Sequence, residues 1–471
     1  MTSVAIIGAG LAGLVAAYEL RKQADAHQLE VDIKVFEATD RIGGKLFTVP
    51  FQAGPTEMGA EAFLAFRTDA VDFFTELGLS EQLREPSGMP SMFYVGGELH
   101  PMPKNNVMGI PATSAGLAEL VSAETCARID GEAHGDPFEW ELGAEISVGQ
   151  LVRERYGADL VSHVVSALQG GVYSSTSDDL GVRATIPALA HEFDRMVEAG
   201  EPVYLSTAIA NLLERRAERN KARGYTPQAF AAFEDGYASV YETLAEKSGA
   251  EIHIDAFITG IKKHGEQLSL QGAEGSFDYV LLATPAPTAA MLLREYAPGV
   301  SIELSKIHLA SSVVVGMRFA DDTGLPDYSG ILVGTDTEDI SAKAFTFSSK
   351  KWPHIGARGG AVVRASFGRY HDDGLARADE DELVDRALAD LKTITGFDGV
   401  AAGLEEIFVQ RWFGGLPVYS TTHLDTVDRV VAGLDEYPQL RAFGAWRGGV
   451  GVPDVIATAR AQAQELIEAI K

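Results

Sequence analysis

The sequence predicts an α/β protein, α+β overall, built on a discontinuous Rossmann-like dinucleotide-binding domain. Three observations predict it: an opening strand–glycine turn–helix, an acidic residue at the end of the next strand, and a long interruption that reads as a second, mixed sheet. Val4-Ala5-Ile6-Ile7 is an apolar run of the kind buried in parallel sheets. Gly8-Ala9-Gly10-Leu11-Ala12-Gly13 follows at once, then a helix through Leu14-Val15-Ala16-Ala17-Tyr18-Glu19-Leu20. Gly8 allows the tight turn, Gly10 lets the backbone approach a pyrophosphate, and Gly13 lets helix and strand pack closely. The helix start offers N–H groups and a positive dipole end to that anion. The strand Val31-Asp32-Ile33-Lys34-Val35-Phe36 ends on Glu37, an acceptor for a ribose diol. A flavin or a nicotinamide dinucleotide fits this device equally well.

The next segment separates the two. Asp40-Arg41-Ile42-Gly43-Gly44-Lys45 comes just after Glu37. It resembles the second signature of the FAD oxidoreductases of the amine-oxidase superfamily, an acidic residue followed by R-x-G-G-R/K. The paired glycines permit close backbone approach, and Arg41 and Lys45 bring positive charge toward the cofactor phosphates. The resemblance implies FAD.

Composition bounds the rest. With 471 residues, 46% hydrophobic and 23% charged, the chain reads as a globular protein of two or three domains. A net charge of −28 argues against nucleic acid and against anionic lipid surfaces. Any anionic substrate must meet locally concentrated cations. The single cysteine, Cys126, excludes an internal disulfide and a cysteine-rich metal site, and no metal is expected. No apolar run approaches the roughly 18 residues of a membrane span. Met1-Thr2-Ser3 runs straight into the first strand, so no signal peptide is expected and the protein reads as cytoplasmic. Weak peripheral membrane association stays open.

Cofactor elements recur along the chain. Glu251-Ile252-His253-Ile254 and Phe257-Ile258-Thr259-Gly260-Ile261 read as short strands, followed by Tyr279-Val280-Leu281-Leu282-Ala283-Thr284-Pro285. Residues 1–65, 230–300 and 411–471 therefore form the expected FAD-binding domain. Residues 66–112, 202–229 and 301–410 form a substrate-binding domain on a mixed sheet, with strands at Val313-Val314-Val315-Gly316-Met317 and Gly360-Ala361-Val362-Val363-Arg364-Ala365-Ser366 and a helix from Glu380. Residues 113–201 form a helical subdomain, with amphipathic stretches at Ala115–Val121 and Gly149–Arg155.

Four further stretches resemble the porphyrinogen oxidases, the FAD enzymes that act on protoporphyrinogen or coproporphyrinogen. They are Leu99-His100-Pro101-Met102-Pro103-Lys104 with Met108-Gly109-Ile110-Pro111, and Gly170-Gly171-Val172-Tyr173 with Leu180, Arg183, Ala184, Thr185 and Pro187. Trp412-Phe413-Gly414-Gly415-Leu416-Pro417-Val418-Tyr419 with His423 is the third, and Gly444 through Asp454 is the fourth. The match runs in order from end to end. The chain departs from the family pattern at Ser174-Ser175, where the family has Ala-Gly, and at Val418, Thr422 and Val455.

Carried onto this chain, the family's FAD contacts fall on Gly8, Ala9, Gly10, Leu11, Ala12 and Gly13, on Glu37 and Ala38, and on Lys45. They continue at Gly59, Ala60, Glu61 and Ala62, at Ile258 through its backbone, at Trp412, and at Val450, Gly451 and Val452. Pro453 suits the first turn of a final helix, whose N-terminal pole would favour the negative charge of a reduced flavin. FAD is expected to be held non-covalently. The resemblance implies oxidation of a porphyrinogen, with the flavin N5 accepting hydride and molecular oxygen yielding hydrogen peroxide. No catalytic side chain is expected. For substrate, Arg67 is expected to contact a propionate and Gly171 to let the macrocycle approach the backbone, with Lys104 and Arg183 as further cations. The motif wording favours coproporphyrinogen III. Protoporphyrinogen IX oxidase, a flavin amine oxidase and a non-catalytic porphyrin- or haem-binding flavoprotein are the alternatives. A tetrapyrrole, oxygen and a hand-over partner in the haem pathway are the expected partners.

Overall fold

The computed structural model describes all 471 residues and divides into two compact units. The first unit comprises residues 1–85, 228–308 and 425–471, and the second comprises residues 86–227 and 309–424.

The first unit is organised on a five-stranded parallel sheet. Its order is Glu251–His253, Val31–Phe36, Thr2–Ile7, Tyr279–Leu282 and Leu440–Ala442. Side chains of the opening strand alternate between faces. Val4 and Ile6 pack with the opening helix Leu11–Ala26, the helix Ala238–Ser248 and the final helix Val452–Ile470. Ala5 and Ile7 join the other cluster, with Ala286, Leu293 and Trp446. Both faces are covered, which is why these strands read as continuous apolar runs. The opening strand has the next strand in sequence on one side and Tyr279–Leu282 on the other. Connections leave it in opposite directions, and the crevice at its carboxyl end is where such sheets bind ligands.

A buried carboxylate braces this unit. The Glu19 side chain is fully buried and lies 3.0 Å from Arg460 of the final helix and 3.8 Å from Lys22. Gln23 and Gln464 donate to its other oxygen at 2.7 and 3.2 Å. The first and last helices are thus joined by charge as well as by apolar contact.

The second unit carries a seven-stranded mixed sheet. Its order is Leu404–Pro417, Leu309–Phe319, Ala361–Phe367, Ala344–Thr346, Gly330–Val333, Ser91–Val95 and Glu98–Pro101. Only the Gly330–Val333 and Ser91–Val95 pair is parallel. Leu383, Ala387 and Leu391 of the helix Glu380–Thr395 pack onto Val313, Val315 and Met317 of the sheet. The helices Ala123–Gly131, Val148–Arg155, Ser166–Tyr173, Pro187–Glu198 and Leu205–Arg223 belong to the same unit.

Two sequence expectations are corrected. Ala115–Val121 is a run of turns, not a helix. Gly116 takes a left-handed φ of 81°, and Ser122 caps the following helix by accepting from the Thr125 N–H at 3.2 Å, so the helix starts later. Phe257–Thr259 is irregular, and the strand begins at Gly260. The carbonyl of Phe257 lies where a Gly272 side chain would sit, 2.3 Å from its ideal Cβ, so the chain bends there rather than extending.

Candidate active site

The glycine turn is tightly packed at two points and less tightly at a third. Gly8 has φ 103°, and a Cβ there would lie 2.7 Å from the Ala283 carbonyl oxygen. A Cβ at Gly13 would lie 1.9 Å from the Gly8 carbonyl oxygen. At Gly10 a Cβ would be in ordinary contact with the Gly44 Cα, at 3.6 Å. The turn is roofed by the R-x-G-G segment, with the Gly43 N–H donating to the Ala9 carbonyl at 2.8 Å. Leu11 and Ala12 begin the opening helix and are buried.

Glu37 has a structural task beside the expected one. One carboxylate oxygen accepts from the Ala9 N–H at 2.8 Å, and the other accepts from the Thr39 N–H and hydroxyl at 3.0 and 2.9 Å. The acid therefore fixes the turn from below. Ala38 follows it and is exposed. Arg41 donates to the carbonyls of Ile42 and Gly44 and lies 3.9 Å from the Phe47 ring centroid. Its guanidinium braces its own loop. Burial, the main influence on it, lowers its pKa.

Lys45 differs from Arg41. No protein group accepts from its ammonium, and burial pushes its pKa down to about 8. The residue is half-buried, and a partly desolvated positive group without a counter-charge is unfavourable until an anion arrives. The adjoining segment Gly59–Ala62 is tied to it, the Ala60 N–H donating to the Lys45 carbonyl at 3.2 Å.

The chain's end supplies a third side. Gly451 caps the final helix without a side-chain bond, and Pro453 lies in its first turn. The N–H groups of Val450, Gly451 and Val452 donate to no acceptor in the protein. Trp446 donates from its indole to the Thr284 carbonyl at 3.2 Å, and the Thr284 hydroxyl is buried without a partner. Thr284 follows Ala283, which lines Gly8 and Gly13, so the opening turn and the C-terminal segment meet at the end of the strand Tyr279–Leu282. The half-buried Arg447 donates to the Ala442 carbonyl and to Gln462. Thr284 and Arg447 were not singled out from sequence. Their signal was only adjacency, Thr284 closing a strand and Arg447 standing inside the C-terminal motif.

Ile258 is buried in the apolar cluster on the sheet's far face. Trp412 and Gly171 belong to the second unit. Trp412 sits in the strand Leu404–Pro417, opposite Ser312, and the unbroken strand carries residues on both sides of position 411. Gly171 is exposed near the end of the helix Ser166–Tyr173. Arg67 precedes the helix Thr68–Glu76 and pairs with Asp69 at 2.8 Å and with Asp454 in the first turn of the final helix. These contacts, that to Asp69 foremost, raise its pKa. Arg183 makes a two-pronged pair with Asp194 at 2.8 and 2.9 Å, which leaves it structural.

A tight glycine turn, a half-buried ammonium with no protein acceptor and three free N–H groups at a helix start suit an anionic dinucleotide.

Comparison with known proteins agrees. The model of the flavin containing amine oxidoreductase family matches residues 11–467. A coproporphyrinogen III oxidase of Mycobacterium tuberculosis is 34% identical over 470 residues, 99% of this chain and 98% of its own. One of Staphylococcus aureus is 28% identical, with 99% of each chain covered. An Exiguobacterium crystal structure, provisionally named a protoporphyrinogen oxidase, superposes with a TM-score of 0.85 at 26% identity over 99% of both chains. Cyclohexylamine oxidase of Brevibacterium oxydans, at 18% identity and a TM-score of 0.67, shares the fold.

Proposed function

The chain belongs to the flavin-containing amine oxidoreductase family, and on that footing we propose that it is an oxygen-dependent coproporphyrinogen III oxidase of haem biosynthesis. It holds FAD non-covalently, converts coproporphyrinogen III to coproporphyrin III, and releases hydrogen peroxide. One observation carries the reading: relatives bearing the coproporphyrinogen oxidase name are 34% and 28% identical over 99% of the chain, whereas an amine oxidase of the same fold is 18% identical.

When bound, the flavin supplies the electron-pair acceptor that the side chains lack. The chain's own residues bind and orient it. The Gly8–Gly13 turn and the opening helix receive the pyrophosphate, and Glu37 remains able to accept from a ribose. Lys45 and the N–H groups at Val450–Val452 hold negative charge. The sole cysteine, Cys126, falls outside the segments that build the cradle, and the flavin is taken to be held non-covalently. No helix is long and apolar enough to cross a membrane, and a cytoplasmic location with hand-over of the porphyrin to a later pathway protein fits the reading.

Arg67 is proposed to receive a substrate propionate, exchanging its contact with Asp69 or Asp454 for the incoming carboxylate. Gly171 is proposed to leave room for the macrocycle.

The test uses the purified yellow protein in air with colourless coproporphyrinogen III. Porphyrin fluorescence should rise well above the autoxidation blank, with peroxide released. Yellow protein giving no more than the blank removes the enzyme reading and leaves a porphyrin-binding flavoprotein. Faster turnover of protoporphyrinogen IX would reassign the substrate.

A further inference from the structure

The second unit buries two cations that the contacts so far do not explain. Lys343 stands just before the strand Ala344–Thr346 and is 3% exposed. Its ammonium donates to the Ser174 hydroxyl and to the Gly368 carbonyl, both at 2.7 Å. Both acceptors are neutral, and no carboxylate lies within ion-pairing distance. Beside it is Arg369, largely enclosed, which makes no ion pair, and whose Nε is buried without an acceptor. Its nearest carboxylate, Asp372, attracts it without touching it. Burial lowers both groups, Lys343 to about 7, and their mutual repulsion adds to the effect on Lys343.

Three chain segments build this spot. The helix Ser166–Tyr173 ends on Ser174, which takes a left-handed φ of 50°. The Tyr370 N–H donates to the Ser174 carbonyl at 2.7 Å, docking the Gly368–Asp372 loop on the helix end. Arg369 Nε lies 3.3 Å from where a Gly170 side chain would begin, one residue from Gly171. Gln169, fully buried in the same helix, has both amide atoms unbonded.

Unpaired buried cations are costly, and the usual remedy is a carboxylate in hydrogen-bonding contact. Arginine is the side chain best shaped to grip one with two parallel bonds. We propose that Lys343 and Arg369 form a carboxylate-binding site at the end of the helix Ser166–Tyr173 that takes one propionate of the tetrapyrrole. The site rests on the porphyrinogen reading and is separate from Arg67, which belongs to the first unit and already has two carboxylate partners. A propionate carries its charge on a short flexible arm. A macrocycle lying over Gly171 could therefore place that charge beside Gly170 without burying the ring.

The test titrates flavin-loaded protein with coproporphyrin III and with its uncharged tetramethyl ester, following porphyrin fluorescence. Wild type, Arg369→Met, Lys343→Met and Arg369→Lys are compared. Each Met variant should bind the acid about tenfold or more weakly, the loss expected for one charge-assisted contact. Each should bind the ester as wild type does. Arg369→Lys should recover part of the loss. In the absence of porphyrin the Met variants should melt no lower than wild type, because an uncompensated buried charge is gone. Unchanged affinity for the acid would overturn the site. So would an equal loss for acid and ester, or a lower melting temperature without porphyrin, since either assigns the cations to packing. A wild type that binds and oxidises porphyrinogen while the variants behave identically sinks only this site. A wild type that neither binds porphyrin nor oxidises porphyrinogen sinks the functional reading and this site with it.

Discussion

Each unit holds a lysine whose ammonium lacks a counter-charge, half-buried at Lys45 and buried at Lys343, and the two are built by different routes. Lys45 is reached through local sequence: the glycine turn, Glu37 and the R-x-G-G run lie within forty-five residues of the N-terminus. Its ammonium has no acceptor at all. Lys343 is held by Ser174 and Gly368, which are remote from it in sequence and from each other. One cradle follows from spacing, the other only from tertiary packing. The first cradle is the proposed place of the cofactor, and the second the proposed place of a substrate carboxylate.

The glycines give the largest contrast. Gly13→Ala places a methyl 1.9 Å from a backbone oxygen with no flexible group to yield. It should cost about 3 kcal/mol or more and abolish flavin retention, read from urea unfolding and from flavin content. Gly171→Ala meets only the Leu332 side chain, at 3.4 Å. That change should stabilise the helix by up to about 1 kcal/mol while raising KM for the porphyrinogen. Equal damage at both positions would erase the distinction.

Two buried carboxylates come next. Glu19 in the first unit and Glu192 in the second each hold two cationic partners, Arg460 with Lys22 and Arg195 with Arg215. Replacing either by Ala should cost about 3 kcal/mol, because cations are left without their partner. Only Glu19→Ala should also weaken flavin retention, since only Glu19 ties the opening helix to the final one.

The lysines predict a dependence on pH. Lys45 has its pKa lowered from 10.5 to about 8 and Lys343 from 10.5 to about 7. Between the folded and unfolded values the unfolded chain binds the extra proton, so stability rises with pH across that window. Below it both states are charged and the penalty is full, and above it both are neutral and the penalty is gone. In flavin-free protein, Lys45→Met should flatten the rise between about pH 8 and 10.5, and Lys343→Met the rise that begins near pH 7. Denaturant midpoints measured across pH check both.

The smallest stability effect belongs to Arg67→Ala. Its ion pairs are about a third exposed, so the loss should stay under about 1 kcal/mol. Under the proposed propionate role KM should rise more than kcat falls. An unchanged KM removes Arg67 from the substrate site.

The strand, turn and helix of the opening segment were legible because each residue's requirement is met by near neighbours. Val4 and Ile6 need a covered face, and Gly13 needs contact with Gly8. The start of the final helix was legible for the same reason, from Gly451 and Pro453. Ala115–Val121 misled because its apolar spacing suits a helix, yet Gly116 turns left-handed and Ser122 caps a later one. Arg41 read as a cofactor cation, but its own loop's carbonyls claim it. Trp412 reads with the C-terminal motif, yet a continuous strand places it in the second unit. Arg369 and Lys343 gave no local sign, since what defines them is the missing carboxylate around each, a property of packing.

The central claim is that this flavoprotein takes electrons from a porphyrinogen. Anaerobic mixing of the oxidised holoprotein with coproporphyrinogen III tests it most directly, by following the yellow flavin band and porphyrin fluorescence together. The account predicts that the band bleaches without porphyrin fluorescence, since one flavin takes two of the substrate's six electrons, that fluorescence follows once oxygen is admitted, and that primary amines leave the band untouched. Bleaching by an amine, with no bleaching by the porphyrinogen, would contradict it.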